Sequence, residues 1–127
     1  MQATLNDQAS IYLQIARMLE DGILRGVYRE EEQAPSTNEL ARAYCINPAT
    51  AAKGINLLVD DGILYKKRGI GMFVAAGAKE AIRQKRRDAF YEQYVTALVK
   101  EGQSLGLSPA EMARMVARAA EGGTQDE

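Results

Sequence analysis

The fold is decided by three consecutive pieces: STNELARAY (36–44), CINPATAAKGINLLVDDG (45–62) and ILYKKRGIGMFV (63–74). In the first, Ser36 and Glu39 stand three residues apart before an apolar face of Leu40, Ala41 and Tyr44. That spacing is a capping box, in which each side chain satisfies an orphan amide of the other residue at a helix start. In the second, Asn47-Pro48 restarts a helix after a short turn. Asn is a good cap, and Pro at the first helical position loses no hydrogen bond because its amide would be unpaired anyway. This helix should run to about Asp61 and stop at Gly62, with Ala51, Ile55, Leu58 and Val59 inward. Its other side, Ala49, Thr50, Ala52, Lys53 and Asn56, is small or hydrogen-bonding. The third piece reads as two short strands, Ile63–Tyr65 and Met72–Val74, joined through Lys66-Lys67-Arg68-Gly69-Ile70-Gly71. Gly69 and Gly71 permit the positive φ angles that a tight hairpin needs.

Outward from this stretch, Ile11, Ile15, Leu19 and Ile23 recur every fourth residue, predicting a helix over 11–24 with Ser10 as cap and Gly26 as stop. Residues 27–34 form a polar connection that should touch the sheet near Gln33 and Ala34; Glu30, Glu31 and Glu32 in it read as a solvated run. After Ala75-Ala76-Gly77 a long helix is predicted over 78–105, carrying Ile82, Phe90, Tyr94, Leu98 and Leu105, and ended by Gly106. A second capping box, Ser108 to Glu111, opens a last helix lined by Met112, Met115, Val116 and Ala119, with Leu107 and Met112 spaced as a hydrophobic staple. From Gly122 the chain reads as a frayed polar tail.

The fold class is therefore mainly α with a small β-hairpin wing: a winged helix-turn-helix over 1–76, then a C-terminal helical hairpin over 77–127. That layout is a means of placing one helix in the major groove of duplex DNA. Composition constrains the alternatives. The 127 residues contain no histidine and one cysteine, which removes the commonest general base and any zinc-type cluster, so neither an enzyme nor a metal or cofactor is expected. The lone Cys45 fits a reducing cytoplasm and reads as a small buried residue of the helix-helix turn. No apolar run approaches the roughly 18 residues of a membrane span, and no secretory signal is visible, so a cytoplasmic location is expected. Net charge is −1, but residues 66–87 hold eight basic residues against Glu80 alone, a local +7 that leaves −8 elsewhere. Local field rather than net charge governs approach to phosphate.

The same residues closely resemble the GntR family of bacterial regulators. Ile11-Tyr12-Leu13-Gln14-Ile15-Ala16 is similar to the family's opening helix, and Ala34-Pro35-Ser36-Thr37-Asn38-Glu39-Leu40-Ala41 to its LPSxRxLA-type segment. Residues 47–53 and Asp61-Gly62-Ile63-Leu64 resemble the recognition helix and its exit, and residues 69–74 the wing. The resemblance covers residues 10–76. The Asn-Pro opening and short tail are similar to the YtrA-type branch, whose two-helix tails are thought to dimerise. Two positions depart from it: Asn38 and Ile70 stand where many relatives carry Arg. An apolar wing tip cannot donate to a groove acceptor, so wing contact would rest on Lys66, Lys67 and Arg68.

These readings converge on a homodimeric, sequence-specific repressor on an inverted repeat. Its partners would be double-stranded DNA and a second copy of itself, with no membrane. Candidate DNA-binding residues are Ser36, Thr37 and Asn38 at the first helix start, Asn47, Ala49, Thr50 and Lys53 on the recognition helix, and Lys67, Arg68 and Gly69 in the wing. Candidate dimer residues are Phe90, Tyr94, Leu98, Met112, Met115 and Val116, since a tail of about 45 residues cannot enclose its own core. Alternatives stay open. The tail could pack back on its own winged helix, Arg83–Arg87 could be a solvated face, and the fold could serve as a protein-interaction adaptor that never touches DNA. A small-molecule effector also stays open, with no residues assigned to it.

Overall fold

A computed structural model describes residues 8–125, with side chains over 11–122. The elements are α1 (Gln8–Leu24), α2 (Thr37–Tyr44), α3 (Pro48–Asp60), β1 (Leu64–Lys67), β2 (Gly71–Val74), α4 (Ala78–Phe90), a π-helical turn (Tyr91–Val95), α5 (Thr96–Ser104) and α6 (Pro109–Gln125). They form two compact units, one ending at Gln84 and one beginning at Lys85. The ends of the two expected domains, residues 1 and 127, lie outside the described residues.

In the first unit the i, i+4 stripe of α1 is buried as its periodicity requires: Ile11, Ile15, Leu19 and Ile23 pack with Leu40 and Ala41 of α2 and with Ala51, Ile55 and Leu58 of α3. Helices α1 and α3 meet closely because Gly54 has no side chain. A Cβ there would stand 2.8 Å from the Tyr12 carbonyl oxygen and 3.0 Å from Ile15 Cγ2. Ser36 caps α2 in the expected box: Glu39 N donates to Ser36 Oγ (3.0 Å) and Ser36 N to Glu39 Oε1 (2.8 Å). Asn47 caps α3, its Oδ1 accepting from Ala49 N at 2.7 Å.

The wing is an antiparallel hairpin pairing Leu64 with Val74 and Lys67 with Gly71. The connection before α2 joins it as an outer strand. Gln33 bridges Phe73, Ala34 N donates to Met72 O (2.8 Å), and Glu31 N donates to Val74 O (2.7 Å). Ile63, Leu64 and Val74 complete the core from the sheet side, and Ala78 and Ile82 of α4 are buried in the same cluster. The first turns of α4 thus belong to this unit, which carries it past the boundary expected at 76.

Several local expectations need correction. Helix α1 starts at Gln8, so Ser10 lies inside it rather than capping it. Cys45 is exposed, because it closes α2 in the left-handed conformation (φ 54°), and its amide donates to Ala41 O. Tyr44, at the end of α2, is also largely exposed. Helix α6 continues through Gln125, past the fray expected from Gly122.

The second unit is a helical hairpin. Its long arm is continuous but contains the π-helical turn, and Leu105-Gly106-Leu107-Ser108 connects α5 to α6. Ser108 and Glu111 form the second capping box, with Ser108 N donating to Glu111 Oε1 (2.8 Å) and Glu111 N to Ser108 Oγ (3.1 Å). Gly102 leaves room for the Met112 side chain between α5 and α6, and Met112 is buried there.

Candidate nucleic-acid interface

Helix α3 separates its faces cleanly. Ala51, Ile55 and Leu58 are buried, while Ala49, Lys53 and Asn56, spaced by four and three, are exposed on the other side. Thr50 is half-buried beside them. The Asn47 side-chain oxygen is occupied by the cap, so its amide group is left as the donor toward a partner. First-turn backbone amides of a helix lack intrahelical acceptors and carry the positive end of its dipole, which suits phosphate. Lys53 adds a full charge, and its Nζ sits 4.4 Å from the centroid of the Tyr12 ring. That contact restrains a long side chain at little cost to its exposure.

At the start of α2 the capping box consumes the backbone amide of Ser36, so Ser36 has its hydroxyl hydrogen to offer. Thr37 is half-buried and Asn38 exposed. In the wing, Lys66, Lys67 and Arg68 are exposed, and Gly69 (φ 77°) turns the chain. Ile70 N closes the turn on Lys67 O at 2.9 Å. Ile70 itself is 62% exposed, an apolar tip flanked by cations. Lys67 Nζ rests 4.1 Å from the centroid of Phe73, whose ring meets Tyr65 at 6.1 Å. The candidates on α3 and in the wing are thus each held by an aromatic partner, Tyr12 for Lys53 and Phe73 for Lys67.

Sequence reading did not find those two rings, nor the work done by the acidic run. Glu30 is not simply solvated: its carboxylate accepts from Gly77 N (3.0 Å) and Lys79 N (3.1 Å), capping α4. Those amide bonds hold its pKa below the usual carboxylate range. Glu31 takes the Tyr65 hydroxyl at 2.7 Å, and this bond pushes the phenol pKa up. Phe73 could have been found by pairing strands across Gly69; the partners of Glu30 and Glu31 lie 47 and 34 residues away and leave no local mark.

Of the candidate dimer residues, Phe90, Tyr94, Leu98, Met115 and Val116 are between 41% and 62% exposed. Met112 is the exception, turned into the tail's own interior against Gly102. In the basic stretch, Arg83 is 3.8 Å from Glu80, an exposed pair of little energetic weight. Among the described residues no group of His, Cys, Asp and Glu is arranged to hold a metal, and no helix is long and apolar enough to cross a membrane.

Residues 11–74 match the family model for bacterial regulatory proteins of the gntR family. The chain belongs to the GntR family. Over 113 residues it is 30% identical to YhcF of Bacillus subtilis, an uncharacterised helix-turn-helix transcriptional regulator, covering 89% of this chain and 92% of that one. Over 83 residues it is 30% identical to the transcriptional repressor YtrA of the same organism, covering 65% of this chain and 64% of the other. A GntR-family regulator from Bacteroides thetaiotaomicron has a similar crystal structure, at 37% identity and TM-score 0.73, covering 87% of this chain and 96% of that one. The chain spans less than a third of the length of the longer curated regulators that it also matches. The family is one of regulators, not enzymes, and its winged-helix architecture is the one described above.

Proposed function

We propose that this GntR-family protein is a sequence-specific DNA-binding repressor acting as a homodimer on an inverted repeat. The observation that carries the reading is α3, with a buried apolar face, an Asn-Pro start, and an exposed face of Ala49, Lys53 and Asn56. Small side chains there let the helix axis approach base edges. Lys53 and the Asn47 amide supply donors for guanine or phosphate oxygens, and Thr50 can hydrogen-bond or touch a thymine methyl. Ser36, Thr37 and Asn38 would hold the flanking phosphate backbone, and Lys67 and Arg68, turned by Gly69, a second stretch of it. The repressor sign is supported by YtrA, which is named a transcriptional repressor.

Dimerisation is supported by the tail's exposed apolar residues. Phe90, Tyr94, Leu98, Met115 and Val116 are costly to leave in water, and a second copy would cover them symmetrically. Two copies give the two-fold axis that a palindromic site mirrors. The test is selection of bound duplexes from a random library at about 100 mM salt, where non-specific phosphate contacts are already weakened. An enriched inverted repeat is expected. A dimer that enriches no sequence would overturn the DNA reading and favour a protein-interaction module.

A further inference from the structure

We propose that Gln33 is a positioning residue for the wing, fixing the hairpin tip and with it the places of Lys67 and Arg68 against DNA; this rests on the DNA-binding reading above. A hairpin of two four-residue strands is marginal by itself, and its tip is the part least held by the ladder. The segment before α2 secures its base. Besides the bonds from Glu31 and Ala34, Val74 N donates to Glu32 O at 2.9 Å. Gln33 reaches further, its side-chain Nε2 donating to the Ile70 carbonyl at 3.1 Å, inside the tip. Gly71 clears the path: a Cβ there would stand 2.6 Å from that same nitrogen. Next to Gln33, Glu31 anchors Tyr65, Tyr65 packs on Phe73, and Phe73 seats Lys67. One short segment therefore grips the wing at its tip through Gln33 and on its flank through Glu31.

None of these grips touches the charges that would meet phosphate, so Gln33 acts by pre-ordering them. Binding with a loose tip must first order it, and that cost falls on affinity. The number of phosphates neutralised stays the same, so the salt slope does not change. Gln33→Met keeps the length and removes the donor. Gln33→Glu also puts a carboxylate against the Ile70 carbonyl and should act more strongly at neutral pH.

The experiment has two arms. In the free protein, amide hydrogen exchange at Ile70 and Gly71 should rise in Gln33→Met while the amides of α1 and α3 stay as they were. On the selected duplex, affinity should fall about threefold, the scale of one exposed hydrogen bond, at unchanged salt slope. That loss should vanish when Lys67 and Arg68 are already replaced by Ala. Unchanged tip exchange overturns the proposal, as does an affinity loss that persists undiminished in the Lys67→Ala, Arg68→Ala background. Wild-type protein that binds no duplex overturns the DNA reading instead, and the exchange arm alone then decides whether Gln33 holds the wing.

Discussion

The two units of this chain use the same devices and reach opposite ends. Each has a Ser-x-x-Glu capping box, each brings two helices together over a glycine, and each has an apolar stripe at helical spacing. In the winged unit the stripe is enclosed: Ile15, Ile23, Leu58, Ile63, Leu64, Val74 and Ile82 are below 2% exposed. In the tail, Met112 is buried while Phe90, Tyr91, Tyr94, Leu98, Leu105, Met115 and Val116 are not. A third helix and a hairpin close the first core, and two arms cannot close the second. Apolar periodicity therefore reports which side of a helix is meant to be covered, not what covers it.

The comparison breaks most sharply at Leu58. Leu58→Ala removes a fully buried side chain and should cost about 2–5 kcal/mol of stability by thermal or denaturant unfolding, whereas Leu98→Ala, at a 41% exposed site, should cost under about 1 kcal/mol. Gly54→Ala comes next. The added methyl meets backbone of α1, so a loss of about 1–3 kcal/mol is expected, in contrast to the usual gain from replacing a helical glycine. Placing charge on the open face tests the other half of the contrast. Leu98→Asp with Val116→Asp should weaken self-association by at least about tenfold in sedimentation, from the cost of burying charge, and leave the winged unit's melting nearly unchanged. A wild-type monomer at micromolar concentration would remove the basis for that experiment and for the dimer.

The capping boxes offer a finer comparison. Ser36→Ala and Ser108→Ala should each cost about 1 kcal/mol of local helix stability, read by exchange in α2 and α6 respectively. The smallest effect belongs to Glu30. Because its pKa is depressed in the folded chain, its contribution is complete above the ordinary carboxylate range and is lost as pH falls through the lowered folded value. Exchange at the start of α4 should thus rise as pH drops from about 5 toward about 3, after correction for intrinsic rates, and Glu30→Gln should flatten that response.

What could be read from sequence was whatever is encoded within one turn of helix or one hairpin. Ser36 with Glu39, Asn47 with Pro48, and Ser108 with Glu111 are local grammar, and all three caps form as spaced. The contact near Gln33 and the wing were also legible, because strand length and turn glycines constrain register. The missed features join distant positions: Glu30 with Gly77, Glu31 with Tyr65, Tyr12 with Lys53. An acidic run looks solvated until its partners are brought to it. Cys45 was misjudged for a local reason, since a left-handed cap turns the side chain outward whatever its hydrophobicity. Among the candidate DNA residues, type and exposure could be read, but not the aromatic seats that hold two of them.

The π-helical turn at Tyr91–Val95 has a consequence for how the tail tolerates change in length. Such a turn accommodates one more residue than an α-helical turn, so everything after it is out of phase with everything before it by about 100°. Deleting one residue between 91 and 95 would restore a regular helix without breaking it. It would swing Leu98 and the rest of α5 about a quarter of the way round their own axis. Point substitutions test which side chains the tail uses; a single-residue deletion here would test the bearing on which it presents them.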